Sequence, residues 1–351
     1  MKGYDLDNFI GSNSLTISET MRKIDQNSSG IIFLVDEQNV LVGCVTDGDI
    51  RRFLLGGGSM DETAICAANR KPRIARSIDE ARRLFHSKNY FLIPVVDDDG
   101  RIVDIYGGEG SKKTSPGRAK LGIPVVINAG GKGSRLDPYT RILPKPLIPV
   151  GDVPIIELIM QEYSSYACSV FHIIVNYKRD LMKAYFADND RNYNIIWYDE
   201  EKPLGTGGGL RLLKGKMDST FFFANCDALL TADYEEMLKF HRDNQNVITM
   251  ICAYKNMNIP YGVVEIGNNG SIESMKEKPL MSFLANTGIY IVEPEVIDDI
   301  GDDEAIGFPD IVEREKKLGK RVAAYPVSEH DWMDMGQLPE LESMRVKLYG
   351  K

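Results

Sequence analysis

Asn128 to Glu157 reads NAGGKGSRLDPYTRILPKPLIPVGDVPIIE, and the rest of the chain is arranged around this stretch. An apolar run, Ile123 to Ile127, leads into it and predicts a short buried strand. The chain then turns through Gly130, Gly131 and Gly133, which let a ligand approach main-chain N–H groups with no Cβ in the way. Ser134 and Arg135 add a hydroxyl and a guanidinium. Ten residues past Arg135, Lys145 stands between Pro144 and Pro146, which bias it away from the helical region. A cation on a stiff, extended segment suits a polyphosphate.

Two commoner glycine-rich loops fail on spacing. A P-loop needs Gly-Lys followed by Ser or Thr, and Gly133 follows Lys132. A dinucleotide fingerprint needs a third glycine where Leu136 stands, which argues against a dehydrogenase. The glycines alone also fit an ordinary strand-turn with a solvated Arg and Lys. The whole string is more specific. G-G-x-G-[ST]-R-L, then P-x-T, then P-K-P-L-x-P, closely resembles the signature of sugar-1-phosphate nucleotidyltransferases.

Downstream of the signature, Pro154–Ala167 reads as a helix, Ser169–Asn176 as a strand, Lys178–Ala187 as a helix and Asn194–Tyr198 as a strand. Leu204–Leu210 (LGTGGGL) is a second glycine-rich turn. Phe221 to Asp227 reads as a core strand ending on a carboxylate, Tyr234–Asn244 is helical, and Val247–Ala253 is another apolar strand. Alternating strands and helices imply an α/β fold, a doubly wound Rossmann-like mixed sheet with ligands at the carboxyl ends of its strands. The resemblance implies the nucleotidyltransferase version of it, like the GT-A fold.

Upstream lies an internal repeat with an offset of 61 residues. Thr16-Ile17-Ser18-Glu19 matches Ser77-Ile78-Asp79-Glu80, and both read as capping boxes that open a helix. Ile31 to Asp36 matches Leu92 to Asp97, and Val40-Leu41-Val42 matches Arg101-Ile102-Val103. Helix, strand, acidic turn and strand, twice over, resembles a tandem pair of CBS motifs, an α+β module. The expected division is 1–110 for this module, 111–122 for a linker rich in glycine, serine and charge, and 123–351 for the nucleotidyltransferase domain.

The family reaction is attack by a sugar-1-phosphate oxygen on the α-phosphorus of a nucleoside triphosphate, with loss of pyrophosphate. Resemblance assigns the triphosphate to Gly130, Gly131, Gly133, Ser134 and Arg135, and places Lys145 near the α-phosphate. It assigns Mg²⁺ to Asp227 and to Asp334 of Trp332-Met333-Asp334-Met335-Gly336, although Cys226 replaces the family's usual glycine. One or two protein carboxylates suffice for Mg²⁺ when phosphates supply further oxygens. The sugar phosphate falls to Gly262, Glu277, Lys278, Asn286 and Thr287. The base falls to the loop holding Gly205, Thr206 and Gly207. That loop is more similar to guanylyltransferases than to thymidylyltransferases, so GTP is expected, with UTP as the alternative. Glucosamine, mannose and heptose 1-phosphates stay open as acceptors, and CBS-fused relatives favour glucosamine in bacterial nonulosonic-acid pathways.

In CBS modules that bind adenosine nucleotides, a Thr or Ser meets phosphate and an Asp three residues on meets ribose. Thr46 and Asp49 match, whereas the second copy has Gly107 and Gly110. A module that only packs domains together is the other reading. A regulator without catalysis would be expected to lack Arg135, Lys145 or Asp227, and all three are present.

The net charge of −9 argues against nucleic acid or an anionic membrane as partner. Any polyphosphate site must therefore be a local basic patch helped by a metal. The five cysteines form no C-x-x-C pair and the four histidines no zinc pattern. Met1 to Asp5 has no signal-peptide character, so a cytoplasmic protein is expected. CBS modules often pair face to face, which makes a homo-oligomer the expectation.

Overall fold

The computed structural model describes residues 5–87, 92–107, 118–187 and 193–350. Residues 108–117, which hold Gly110 and much of the expected linker, lie outside that description. Two compact units result: one is Met1–Pro116 with Lys255–Phe283, the other Gly117–Tyr254 with Leu284–Lys351.

In the first unit the repeat is present element by element. The helix Ile17–Asn27 and strands Ile31–Val35 and Leu41–Thr46 recur, 61 residues on, as the helix starting at Ile78 and strands Leu92–Val96 and Ile102–Gly107. Thr16 caps the first helix: its hydroxyl accepts from the Glu19 N–H, and the Glu19 carboxylate accepts from the Thr16 N–H at 2.8 Å. The acidic turns repeat too, Asp36 accepting from the Val40 N–H at 2.9 Å and Asp97 from the Arg101 N–H at 2.8 Å. Val40 pairs with Arg101, its own equivalent, so the two copies face each other across a pseudo-twofold. Phe33 and Cys44 of the first copy and Ile105 of the second share one buried cluster. The inserted Lys255–Phe283 contributes a two-stranded hairpin, Val263–Ile266 against Ile272–Lys276.

The second unit is a seven-stranded mixed sheet. Its order is Asn194–Asp199, Val170–Val175, Val125–Asn128, Phe221–Asn225, Leu280–Val292, Ile248–Asn258, Val322–Val327. The first four run parallel, and Leu280–Val292 is antiparallel to Phe221–Asn225. Phe221, Phe222 and Phe223 are fully buried, alternating between two clusters, as a strand covered on both faces requires. Ile155–Ser164 and Tyr234–Asp243 pack over the face that buries Phe222. Asp233 caps the latter helix through the Glu235 and Glu236 N–H groups.

Candidate functional site

From Val125–Asn128 the chain winds to Val170–Val175 and then to Asn194–Asp199, before returning to the other side as Phe221–Asn225. The winding direction therefore switches between the strands that end at Asn128 and Asn225, which are direct register partners. A crevice opens at the carboxyl ends of such strands. The glycine loop leaves from one lip and Asp227 from the other.

Gly133 has φ +66°, and a Cβ there would lie 2.9 Å from Lys145 Cβ and 3.0 Å from Thr140 Cγ2. Only glycine lets the following segment close onto the loop. Gly131 differs: a Cβ on it would meet nothing within 4 Å among the described residues, so its missing side chain answers no packing need of theirs. Ser134 and Arg135 are exposed. Lys145 is not extended; it opens a 3-10 turn, Lys145–Leu147. Pro146 is tolerated at the second position of that turn, where an N–H has no partner within it. Behind this segment the Thr140 hydroxyl donates to the Gly133 carbonyl (3.2 Å) and the Tyr177 hydroxyl to the Thr140 carbonyl (3.1 Å).

Lys145 is buried, and its ammonium donates to the Asp227 carboxylate. Burial alone would lower the lysine pKa, but Asp227, with Asp334 adding to it, holds it above the ordinary value. Asp334 is brought alongside by a short ladder of Trp332–Asp334 on Ala228–Leu230, in which Ala228 faces Asp334. The Met335 N–H also donates to the Asp227 carbonyl at 2.9 Å. Burial first, then the Asp227 charge, pushes the Asp334 carboxyl up to about 6, while Lys145 and Arg135 pull it down. Four groups separated in sequence thus feel one another's charge. Two carboxylates close enough for the Asp227 charge to act on Asp334 are a fitting donor set for a hard divalent cation. No cluster of three His, Cys, Asp or Glu occurs among the described residues. Cys226 is buried, and burial ahead of the Asp227 charge pushes its thiol up to about 12.

Most of the second glycine run is explained by packing. A Cβ on Gly205 (φ +80°) would lie 2.6 Å from the Ile306 carbonyl oxygen, and one on Gly208 would collide with that of Glu304. The Gly207 and Gly208 N–H groups donate to the Ile306 carbonyl at 3.0 and 3.2 Å, and the Thr206 hydroxyl accepts from the Phe308 N–H at 2.9 Å. Gly205 and Thr206 are exposed, whereas Gly207 to Gly209 are buried.

Sequence reasoning missed Glu200. It is 4% exposed, follows the strand Asn194–Asp199, and lies between the two glycine-rich loops. A Cβ on Gly130 would lie 2.7 Å from its Oε2 and one on Gly209 2.5 Å from its Oε1. Oε1 is buried with no hydrogen-bond partner among the described residues, and burial pushes the carboxyl up to about 7. The one signal in the sequence is an acidic residue close behind an apolar strand, as Asp227 is.

Of the groups expected to meet the sugar phosphate, Asn286 and Thr287 belong to the second unit. The Thr287 hydroxyl is buried and donates to the Ile251 carbonyl at 2.7 Å; the Asn286 amide donates to the Tyr290 hydroxyl at 2.6 Å. Gly262, Glu277 and Lys278 belong to the first unit, at the open end of the hairpin, and all three are exposed. A Cβ on Gly262 would lie 3.1 Å from Glu277 Oε2, and Lys278 has φ +44°.

Thr46 and Asp49 cap the helix Asp47–Leu55. The Thr46 hydroxyl donates to Asp49 Oδ2 at 2.7 Å, the Asp49 N–H donates back to that hydroxyl at 3.2 Å, and Arg52 donates to Asp49 Oδ1 at 2.6 Å. Both side chains therefore have a structural role in this state. In the second copy the strand Ile102–Gly107 ends on Gly107, which has neither group.

Residues 124–349 match the family described as Nucleotidyl transferase, and residues 12–56 match the CBS domain. The chain is 32% identical over 240 residues to a UTP–glucose-1-phosphate uridylyltransferase of Synechocystis, covering 61% of this chain and 60% of that protein. It is 32% identical over 225 residues to a mannose-1-phosphate guanyltransferase of Pichia angusta, covering 60% of each. The chain thus spans about 60% of the length of these curated relatives. Among solved structures, HddC from Yersinia pseudotuberculosis shares the fold, with TM-score 0.51 and 23% identity, covering 64% of this chain and 99% of that one. A UDP-glucose pyrophosphorylase complexed with UDP-glucose has TM-score 0.50 at 20% identity, covering 65% and 98%.

Proposed function

Because the chain belongs to the nucleotidyl transferase family and has a CBS domain at its N-terminus, we propose that it transfers a nucleoside monophosphate from a triphosphate to a sugar 1-phosphate. The products are an NDP-sugar and pyrophosphate. One observation carries the reading: Lys145, Asp227 and Asp334 converge, with the Arg135 charge in range, at the switch point, where Lys145 packs on Gly133. Phosphoryl-group transfer of this kind is mostly positioning and charge neutralisation.

The loop through Gly130, Gly131 and Gly133, with the Ser134 hydroxyl and Arg135, holds the triphosphate. Lys145 neutralises charge on the reacting phosphate and aligns the incoming sugar-phosphate oxygen. Asp227 and Asp334 would hold Mg²⁺, which when bound neutralises phosphate oxygens and favours the leaving pyrophosphate. We assign sugar-phosphate recognition to Asn286 and Thr287 in the second unit and, on the resemblance alone, to Gly262, Glu277 and Lys278 in the first.

The triphosphate in this reading is GTP. Gly205, Thr206 and Gly207 border the base, and Glu200 offers, in Oε1, an acceptor with no partner among the described residues, beside both glycine loops. Guanine presents two adjacent donors, N1–H and N2–H₂, that a carboxylate accepts together. A buried polar site rejects a base without matching donors. UTP is the second reading, favoured by the likeness to the Synechocystis uridylyltransferase. GDP-glucosamine for bacterial glycan or nonulosonic-acid biosynthesis is the product we put first.

The rest of the proposal is a cytoplasmic homo-oligomer with a tandem CBS module at 1–110, a linker at 111–122 and the transferase at 123–351. Thr46 and Asp49 form a candidate adenosine-nucleotide site. No helix among the described residues is long and apolar enough to cross a membrane. The test is pyrophosphate release with four triphosphates against glucosamine, mannose, glucose and heptose 1-phosphates. GTP should lead; equal kcat/KM for UTP or dTTP overturns the base assignment, and no release with any pair overturns the reaction.

A further inference from the structure

Asn128 is the last residue of its strand, and its side chain joins the two glycine-rich loops. Its Nδ2 donates to the Thr206 carbonyl at 3.1 Å, and its Oδ1 accepts from the Gly130 N–H at 3.4 Å. Thr206 is 78 residues away in sequence, so this is a long-range tie. The strand end is anchored on both sides: the Cys226 N–H donates to the Asn128 carbonyl at 3.3 Å, and the Ala129 N–H to the Ile174 carbonyl at 2.8 Å. A primary amide carries a donor and an acceptor on one planar group. Aspartate lacks the donor, and an aliphatic side chain lacks both.

We propose that Asn128 is a positioning residue that sets the spacing between the Thr206 loop and the Gly130 loop, and so the span from base to phosphates. The inference rests on reading these loops as the base and phosphate ends of one nucleotide site. In this proposal the Asn128 amide bonds the two loops and not the ligand. Each loop keeps its own fragment of the nucleotide without the tie, and only the alignment that lets both be held at once is lost. The effect should therefore appear for the intact nucleotide and be absent for its parts.

The experiment measures binding of GTP, guanosine and tripolyphosphate, in Mg²⁺, to the full chain and to Asn128→Leu and Asn128→Ala, with UTP and uridine run in parallel. Two variants are used because the near-isosteric leucine keeps the strand end filled if alanine disturbs folding. The expected result is a loss of about five- to tenfold for the intact triphosphate, the effect of one neutral hydrogen-bonded tie. Nucleoside and tripolyphosphate affinities should move by less than about twofold, on the same basis. If nucleoside affinity falls as far as that of the triphosphate, Asn128 contacts the base and the proposal is wrong. Unchanged triphosphate affinity overturns it as well. If the unaltered protein binds neither nucleoside nor tripolyphosphate, the two-ended reading fails and takes the proposal with it.

Discussion

The Lys145 ammonium donates to the Asp227 carboxylate across 82 residues of chain, with side chains only 10% and 15% exposed. The lysine expected to meet phosphate is thus held by the carboxylate expected to meet the cation. Each charge has the other as its partner, and both sit where incoming phosphates and a cation would exchange partners with them.

The first prediction tests that pair. Asp227→Asn leaves a buried ammonium facing a neutral amide, and breaking such a pair costs roughly 3–5 kcal/mol. Urea denaturation should show a loss of that order, and pyrophosphate release should fall at least about 100-fold. Lys145→Met with Asp227→Asn should lose less stability than the two single changes added together. Additive losses, or near-normal turnover of Asp227→Asn at saturating Mg²⁺, would contradict the arrangement.

Gly131 and Gly208 should separate ligand space from packing. Gly131→Ala meets no atom of the described residues within 4 Å, so its stability should stay within about 0.5 kcal/mol of the unaltered protein. Its KM for the triphosphate should nonetheless rise at least tenfold, about 1.4 kcal/mol of lost binding. Gly208→Ala drives a methyl into the Glu304 carbonyl oxygen and should be severely destabilised or fail to fold. Thermal melts and steady-state kinetics on both variants check this. A Gly131→Ala enzyme with unchanged KM would mean that no phosphate approaches there.

Glu200 predicts a pH dependence. Burial raises its pKa from 4.5 to about 7, so between those values the folded chain binds more protons than the unfolded one. Its contribution to stability is therefore present below about pH 4.5 and is lost as pH rises through about 7. Glu200→Gln should remove that part of the slope and be the more stable protein at about pH 8 in ligand-free melts. If Glu200 reads guanine as a carboxylate, GTP affinity in the unaltered protein should rise through about pH 7 while that of Glu200→Gln stays flat. Identical pH–stability profiles for the two proteins would refute the buried-carboxyl account.

The CBS module provides the last prediction. Thr46 and Asp49 already cap a helix, so Thr46→Ala should cost about 1 kcal/mol whether or not a nucleotide binds. If they also form an adenosine-nucleotide site, millimolar AMP, ADP or ATP should raise the melting temperature of the full chain. Asp49→Ala should abolish that rise. No stabilisation by any of the three would leave the module a packing element.

Local features are legible in the amino-acid sequence alone. The Thr16–Glu19 capping box, the acidic turns at Asp36 and Asp97 and the 61-residue repeat rest on contacts within a few residues, which spacing by itself reports. The doubly wound sheet follows from alternating apolar strands and helices, and the chain's family from one continuous stretch, Gly130 to Pro149. Tertiary structure decides the rest. Lys145 meeting Asp227, Ala228 facing Asp334 and Asn128 reaching Thr206 each join residues far apart in the chain. Spacing cannot report such pairs, because they depend on which strands lie side by side. The same holds for which glycines pack against the described residues and for the burial of Glu200 beside Gly130 and Gly209. The grouping of Lys255–Phe283 with the N-terminal unit is likewise a matter of contacts in space, and no local pattern encodes it.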